Sequence, residues 1–255
     1  MAYQLIKPAP DLTPFVRNIW VFSETGDEVQ TSLPFFADGF PGILFHNAGS
    51  RFTIVPHTKV MKPVFIYGQT LQPIEIQVKG SFTIVVFQVY PFVLKSLFGV
   101  DPKSIVDACY DIPDVEAAIA REVNTELSEF RCVIESITSG LLARIKSRQL
   151  GFDPVVKKVI EQILATQGQV RLHTLAEQLW VNERTLERRF RSETALSPKQ
   201  FAKIIQFQNS LTQLSVRDFE TLSDIVYKNG YADQSHFIRV FKSFTGKTPR
   251  AFVKV

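Results

Sequence analysis

Cysteine is nearly missing from this chain of 255 residues: Cys109 and Cys132 stand alone, with no CxxC pair. That excludes a disulfide scaffold and a thiolate zinc site, and leaves two reduced, partly buried thiols as the expectation. No uninterrupted apolar run approaches the roughly 18 residues that a membrane-crossing helix needs. No basic start leads into an apolar stretch, so the chain is expected to be soluble, unexported and cytoplasmic, with no membrane partner. Histidine is scarce as well. The first 150 residues hold only His46 and His57, on different predicted elements and without an HxH pair, which is too few for a catalytic metal site. A nucleophile elbow, a phosphate-binding glycine loop and a dinucleotide fingerprint are all lacking. The expectation is therefore no catalytic residues, no metal, no cofactor and no enzyme activity.

What is present divides near Gly151. Residues 1–150 carry 13 Lys/Arg against 15 Asp/Glu, whereas residues 151–255 carry 16 against 10, so the whole chain's net +4 belongs to its second part. A basic domain joined to a mildly acidic one suits a polyanionic partner. Proline divides at the same place, with 11 of 14 before residue 150 and only Pro154, Pro198 and Pro249 after it. In the first part, short β-branched and aromatic runs recur at Asn18–Phe22, Gly42–His46, Arg51–Val55, Val64–Tyr67, Ile74–Lys79 and Phe82–Tyr90, punctuated by Pro or Gly. That is the spacing of a sandwich or barrel. From about Val115 to Arg148 the period becomes helical, through Leu127, Phe130, Ile134, Ile137, Leu141 and Ile145. This stripe can pack on its own domain or form a seam with a second copy, and Gly140 is a place where it could be interrupted.

After Gly151 the pattern predicts helices at Pro154–Thr166, His173–Leu179, Glu183–Thr194, Pro198–Leu214, Leu222–Asn229 and Gln234–Phe244, with Pro or Asp at several helix starts. Within them lies an internal repeat. FRSETALSPKQF from Phe190 and FKSFTGKTPRAF from Phe241 coincide at an offset of 51, and so do Leu186 with Phe237 and Arg188 with Arg239. Leu172, Leu175 and Ala176 fall on Leu222, Ile225 and Val226 at an offset of 50, so one residue has been gained in the intervening turn. Each copy is a short helix, a turn of about four residues and a longer helix, which is the helix-turn-helix geometry. Leu175, Ala176, Leu179, Leu186 and Phe190 are spaced to bury one face of the first copy; Ile225, Val226, Phe237 and Phe241 do so in the second. The faces left over carry Arg184, Glu187, Arg188 and Arg191 in one copy, and Gln234, Ser235, His236 and Arg239 in the other. Arg can bridge guanine O6 and N7, Gln can pair with adenine, and Ser reaches backbone oxygens. Lys242 and Arg250 are expected on phosphates.

GYADQSHFIRVFKSFTGKTPRAF, from Gly230 to Phe252, closely resembles the late hallmark of the AraC/XylS family of transcription regulators, and LAEQLWVNERTLERRFRSETALSPKQF resembles its first unit more loosely. The resemblance covers Asp153 to Val255. It implies two helix-turn-helix subdomains joined by a long helix, each placing its second helix in the major groove of double-stranded DNA. Three departures stand out: Ala195 where the second copy has Gly246, Gln206 where the family commonly has Arg, and Ser210 where it commonly has Ala. If the turn at Ala195 needs a positive φ, Ala is mildly strained there. In this family the N-terminal part is often a cupin-like β-barrel that binds a small effector or mediates dimerisation.

The expected architecture is thus α+β in two domains. Residues 1–150 form a cupin-like β-barrel with C-terminal helices, for sensing or dimerisation; residues 151–255 form an all-α double helix-turn-helix. Thirteen of the 22 Phe lie in residues 1–150, and they either line an apolar effector cavity or fill a closed core. Phe36, Asp38, Phe45, Phe65 and Phe87 are the candidate effector contacts, although Asp38 equally suits stabilising its own turn. RNA polymerase and a second copy of the chain complete the expected partners.

Overall fold

The computed structural model describes residues 1–26, 28–56, 59–111, 130–147, 151–217 and 219–253. The chain divides into two units. The first comprises Met1–Phe35, Phe40–Gln69 and Ile74–Gly151; the second comprises Phe152–Val255 together with the short segments Phe36–Gly39 and Thr70–Pro73.

The strand-rich first unit is built from two antiparallel sheets, the sandwich that strand spacing also allowed, rather than the closed cupin-like barrel that the family resemblance implied. Six strands, β1 (Ala2–Ile6), β2 (Val16–Glu24), β4 (Gly42–His46), β7 (Val64–Tyr67), β9 (Phe82–Val89) and β10 (Cys109–Asp111), pair in the order β1-β2-β9-β4-β7-β10. Four others, β3 (Gln30–Phe35), β5 (Phe52–Val55), β6 (Lys59–Val60) and β8 (Ile74–Lys79), pair in the order β3-β8-β5-β6. Side chains alternate across a strand. Phe52 and Ile54, Ile76 and Val78, Phe65 and Tyr67, and Phe82, Ile84 and Val86 accordingly turn toward one shared core between the sheets. Trp20, Phe22, Leu33 and Phe35 pack against its margin.

The opposite face of the larger sheet is apolar too. Ile43, Phe45, Val85 and Phe87 are buried there, and the helix α1 (Phe130–Ser147) lies against β9. α1 runs unbroken through Gly140 and buries Val133, Ser136, Ile137 and Leu141. The helical stripe is therefore used within its own unit over the described residues; Leu127 and the segment from 115 lie outside them. Each buried Phe contributes roughly 2–3 kcal/mol of transfer free energy, which suffices to set the register of each strand because a one-residue slip would turn every such side chain outward. Cys109 is half-buried, but Cys132 is exposed, contrary to expectation, because it lies on the outer side of α1.

The second unit is helical: α2 (Pro154–Ala165), α3 (Leu172–Gln178), α4 (Glu183–Thr194), α5 (Pro198–Val216), α6 (Leu222–Lys228), α7 (Gln234–Thr245) and the short α8 (Pro249–Val253). Its ends are chemically marked. Asp153 accepts from the backbone N–H groups of Val155 and Val156 ahead of Pro154, and Ser197 with Gln200 closes a reciprocal capping box ahead of Pro198. Such caps are each worth about 1 kcal/mol. α5 spans 19 residues, or about 28 Å at the helical rise, and buries Phe201, Ile204, Ile205, Phe207 and Leu214.

Candidate nucleic-acid interface

The repeat read from sequence is a repeat of atomic contacts. In the first copy the Thr194 hydroxyl donates to the Phe190 carbonyl (2.9 Å) and the backbone N–H of Leu196 donates back to Thr194 Oγ1 (3.2 Å). In the second, 51 residues on, the Thr245 hydroxyl donates to Phe241 (2.8 Å) and the N–H of Lys247 donates to Thr245 Oγ1 (3.1 Å). Both threonines are buried. The caps repeat as well. Thr185 N–H donates to the Asn182 side chain at the start of α4 (2.8 Å), and His236 N–H donates to the Asp233 carboxylate at the start of α7 (2.7 Å).

The turns show where the extra residue went. Val181 N–H donates to Ala176 and Tyr231 N–H to Val226, at an offset of 50. Asn182 and Asp233 correspond at 51, so the gained residue is Ala232. The first turn spans residues 179–182 and the second 229–233.

Apolar positions in both copies lock the paired helices. Leu175, Ala176, Leu186 and Phe190 are buried in the first, and Ile225, Val226, Phe237 and Phe241 in the second; Leu179 is half-buried. Phe237 and Phe241 stack edge-on, with ring centres 5.7 Å apart, and Phe207 of α5 meets Phe241 at 5.6 Å. What remains on the outer side of α4 is Arg184, Glu187, Arg188 and Arg191, all exposed. On α7, Gln234, Ser235, Arg239 and Lys242 are exposed, as is Arg250 on α8. His236 differs from them: it is half-buried, its ring packs edge-on against Tyr231 at 5.7 Å, and its Nδ1 is enclosed without a hydrogen bond.

Glu187 and Arg191 form an ion pair one turn apart, with Arg191 Nε donating to Glu187 Oε1 at 3.1 Å. The acidic residue on this face thus orients one of its arginines. Gln234 and Arg250 line one cleft of about 350 Å³, together with Leu222, Ile238, Thr248 and Pro249.

The departures in the joining helix have structural partners. Gln206 Nε2 donates to the Asn229 carbonyl (2.6 Å) and Gln169 Nε2 to the Lys228 carbonyl (3.0 Å), satisfying acceptors left over at the C-terminal end of α6. Ser210 is buried, donates to Phe207, and lies 3.3 Å from the Tyr231 hydroxyl. Burial pushes the Tyr231 phenol up to about 12, against a smaller opposing effect of the Ser210 contact.

One positioning contact went unread in the sequence. Arg189, on the inner flank of α4, grips Asp153 in a two-pronged ion pair at 2.6 Å and 2.6 Å. Partial burial raises the Asp153 carboxyl, but the guanidinium and the two capping amides outweigh it and leave the group below the ordinary carboxylate value. The signal was available in part, since Asp before Pro154 marks a cap; nothing in the linear pattern paired it with Arg189.

The residues suggested for an effector are not gathered by the structure. Phe36 and Asp38 belong to the second unit, where Phe36 meets Phe252 at 5.9 Å. Phe45 and Phe87 are buried on the α1-facing side of the large sheet, while Phe65 points into the inter-sheet core. A different polar group stands out in that core. His46 is fully buried, stacks on Phe52 at 4.0 Å, and neither ring nitrogen makes a well-formed hydrogen bond. Burial lowers its pKa to about 4. His57 lies outside the described residues, and among the described residues no three His, Cys, Asp or Glu side chains come together to hold a metal. Among the same residues no helix is long and apolar enough to cross a membrane.

These paired, separately capped units define a protein with a helix-turn-helix domain. Residues 175–254 match the family model described as a helix-turn-helix domain, and residues 4–111 match a domain of unknown function, DUF6597. A segment of 101 residues is 28% identical to uncharacterized HTH-type transcriptional regulators of Staphylococcus aureus; it covers 39% of this chain and 13% of each relative. The chain thus spans a small part of the length of these curated relatives. Among solved structures, ToxT from Vibrio cholerae is similar in fold, with a TM-score of 0.51 and 13% identity over 100% of this chain and 98% of that one. The C-terminal domain of AraT, a response regulator from Geobacillus stearothermophilus, matches at 23% identity and a TM-score of 0.37, covering 40% of this chain and 85% of that one.

Proposed function

We propose that this chain is a sequence-specific transcription regulator that reads duplex DNA through α4 and α7, and that a small effector held by the N-terminal unit controls it. The observation that carries the reading is the duplication of caps, turns and threonine clasps around two different exposed polar helices in a basic domain. Arg184, Arg188 and Arg239 suit base edges, with Glu187 accepting from cytosine or holding Arg191. Gln234, Ser235 and His236 start the second reading helix; Lys242 and Arg250 suit phosphates. The division into residues 1–150 for sensing or dimerisation and 151–255 for DNA belongs to this proposal, as do RNA polymerase and a second copy as partners and a cytoplasmic location. For the effector we favour an apolar body, in keeping with the aromatic side chains of the N-terminal unit, Phe52, Phe65 and Phe82 among them.

Selection of preferred duplexes from random DNA by the full-length protein tests the reading. The expected site has two dissimilar blocks about 10 base pairs apart, since the recognition helices differ and successive major-groove segments lie about 34 Å apart. Five base pairs inserted between the blocks should abolish most of the affinity. Unchanged affinity would mean that one unit alone engages DNA. Enrichment of no sequence would overturn the proposal. An effector of the stated kind should change affinity at least tenfold, and failure of every such compound would leave a regulator without effector control.

A further inference from the structure

Trp180 and Gly230 hold the same place in the two turns, a left-handed place that favours glycine. The N–H of Trp180 donates to the Glu177 carbonyl and that of Gly230 to the Tyr227 carbonyl, each at 3.0 Å. Both residues lie in the left-handed region, at φ 55° and 69°. In the second copy a Cβ would also come within 2.7 Å of Gln169 Oε1, so the Gln169 side chain would have to shift. The first copy carries the largest side chain of all in a conformation that disfavours any Cβ. Burial would be the usual return for such strain, yet Trp180 is 95% exposed. Asp107, Gln167, Ala195 and Arg217 also stand at positive φ; what sets Trp180 apart is a large indole that neither backbone geometry nor packing accounts for.

We propose that Trp180 is a DNA-backbone contact whose indole N–H donates to a phosphate at the wall of the groove that α4 enters. The proposal rests on the DNA-reading role of α4. Trp180 precedes the Asn182 cap by two residues and Arg184 by four, and the exposed face of α4 that follows carries Arg184, Arg188 and Arg191. In a helix-turn-helix the N-terminal end of the second helix points into the groove, so residues just ahead of it meet the phosphodiester rim. The indole is donor-only, which matches phosphate oxygens, and its flat apolar ring can cover a deoxyribose. Being uncharged, it releases no counterion. The contact therefore adds affinity without adding salt dependence, unlike every arginine nearby.

The test uses the full-length protein and a duplex it selects from random DNA. Trp180→Gly should melt a few degrees higher, because strain is relieved, yet bind about tenfold more weakly, as befits loss of a hydrogen bond to a charged group. Its slope of log K against log salt should equal the wild type's, whereas Lys242→Ala should lower the slope by about 1. Trp180→Phe keeps the ring, loses the donor and should also weaken binding. Trp20 is the only other tryptophan, so indole emission lost in Trp180→Phe isolates Trp180, and that emission should change on adding duplex. Wild-type affinity in Trp180→Gly would overturn the proposal; if that variant bound DNA normally but lost its effect on transcription, the indole would belong to a protein partner. Were Arg188→Ala also without effect, the DNA role of α4 itself would fall, whereas an effect of Arg188→Ala alone would remove only Trp180 from the interface.

Discussion

Ala195 ends α4 with φ 67° and ψ −15°, and Gly246 ends α7 with φ 71° and ψ −9°. Each N–H closes the same bond, to the Arg191 carbonyl in one copy and the Lys242 carbonyl in the other. The geometry is fixed by the clasp that follows it, so the residue at this point does not choose its own backbone. A residue with a Cβ is disfavoured in the left-handed region by about 1–2 kcal/mol. Glycine regains that but loses roughly 0.5–1 kcal/mol to its greater freedom in the unfolded chain. Ala195→Gly should therefore stabilise the helical unit by ~0.5–1 kcal/mol, which for a domain of about 100 residues raises the melting temperature by roughly 2–8 °C. Gly246→Ala makes the opposite exchange. A methyl there would meet no atom nearer than 4.0 Å, so its cost is conformational and should be a loss of similar size. Thermal melts of the full-length variants, followed by helical ellipticity at 222 nm, measure both. An Ala195→Gly protein that melts at or below the wild type while Gly246→Ala is destabilised would refute the reasoning, because it would mean the first turn is not held left-handed.

His46 has a folded pKa near 4 against an ordinary 6.5, so the unfolded chain takes up its proton first on acidification. The stability this neutral ring contributes is whole above about pH 6.5 and falls by up to ~3 kcal/mol toward pH 4; His46→Leu should flatten that part of a stability–pH curve, and identical curves would sink the account. Asp153 lies below its ordinary value of 3.8, so its contribution is present above that pH and is lost as pH falls through the lower folded value. Asp153→Asn or Arg189→Ala should cost about 1.5–3 kcal/mol in urea titration at neutral pH, with the double variant showing that the two losses do not add. Arg188→Ala and Arg239→Ala should each relax base choice in a different block of the selected site, at roughly 1–3 kcal/mol, whereas Lys242→Ala and Arg250→Ala should weaken all duplexes alike. Indistinguishable behaviour of the two pairs in competition binding would remove the base-reading role.

The helical unit was legible because its determinants are local. Pro154, Ser197–Pro198 and Asp233 announce helix starts through their own side chains, and periodic burial at Leu186 and Phe190 or Phe237 and Phe241 fixes the faces. The same offset that aligned Phe190 with Phe241 also aligned the Thr194 and Thr245 clasps. The first unit was legible only as far as its strands. Alternation at Phe52 and Ile54 or Phe65 and Tyr67 shows that a face is buried, but not whether the sheet curls onto itself, because closure depends on pairings between distant strands. For the same reason composition could not reveal that Phe45 and Phe65, on neighbouring strands, point to opposite sides of one sheet, or that Phe36 and Asp38 belong with the helices. Arg189 looked like another cation on a basic helix, and only the fold brings Asp153 to it.

The carbonyls that end α6 bear on how far the second half of the repeat can be treated as a transplantable part. Lys228 and Asn229 are capped by Gln169, from ahead of α3, and by Gln206, from within α5. A graft that carried only residues 219–253 onto another scaffold would leave those two acceptors open and remove the Phe207 ring from beneath Phe241. The two halves are tied together by these contacts despite their matching anatomy. If α4 and α7 read DNA as proposed, a designer exchanging them between such proteins would have to cut ahead of Gln169 and keep α5 with its own partner, or repaint the exposed faces of α4 and α7 alone.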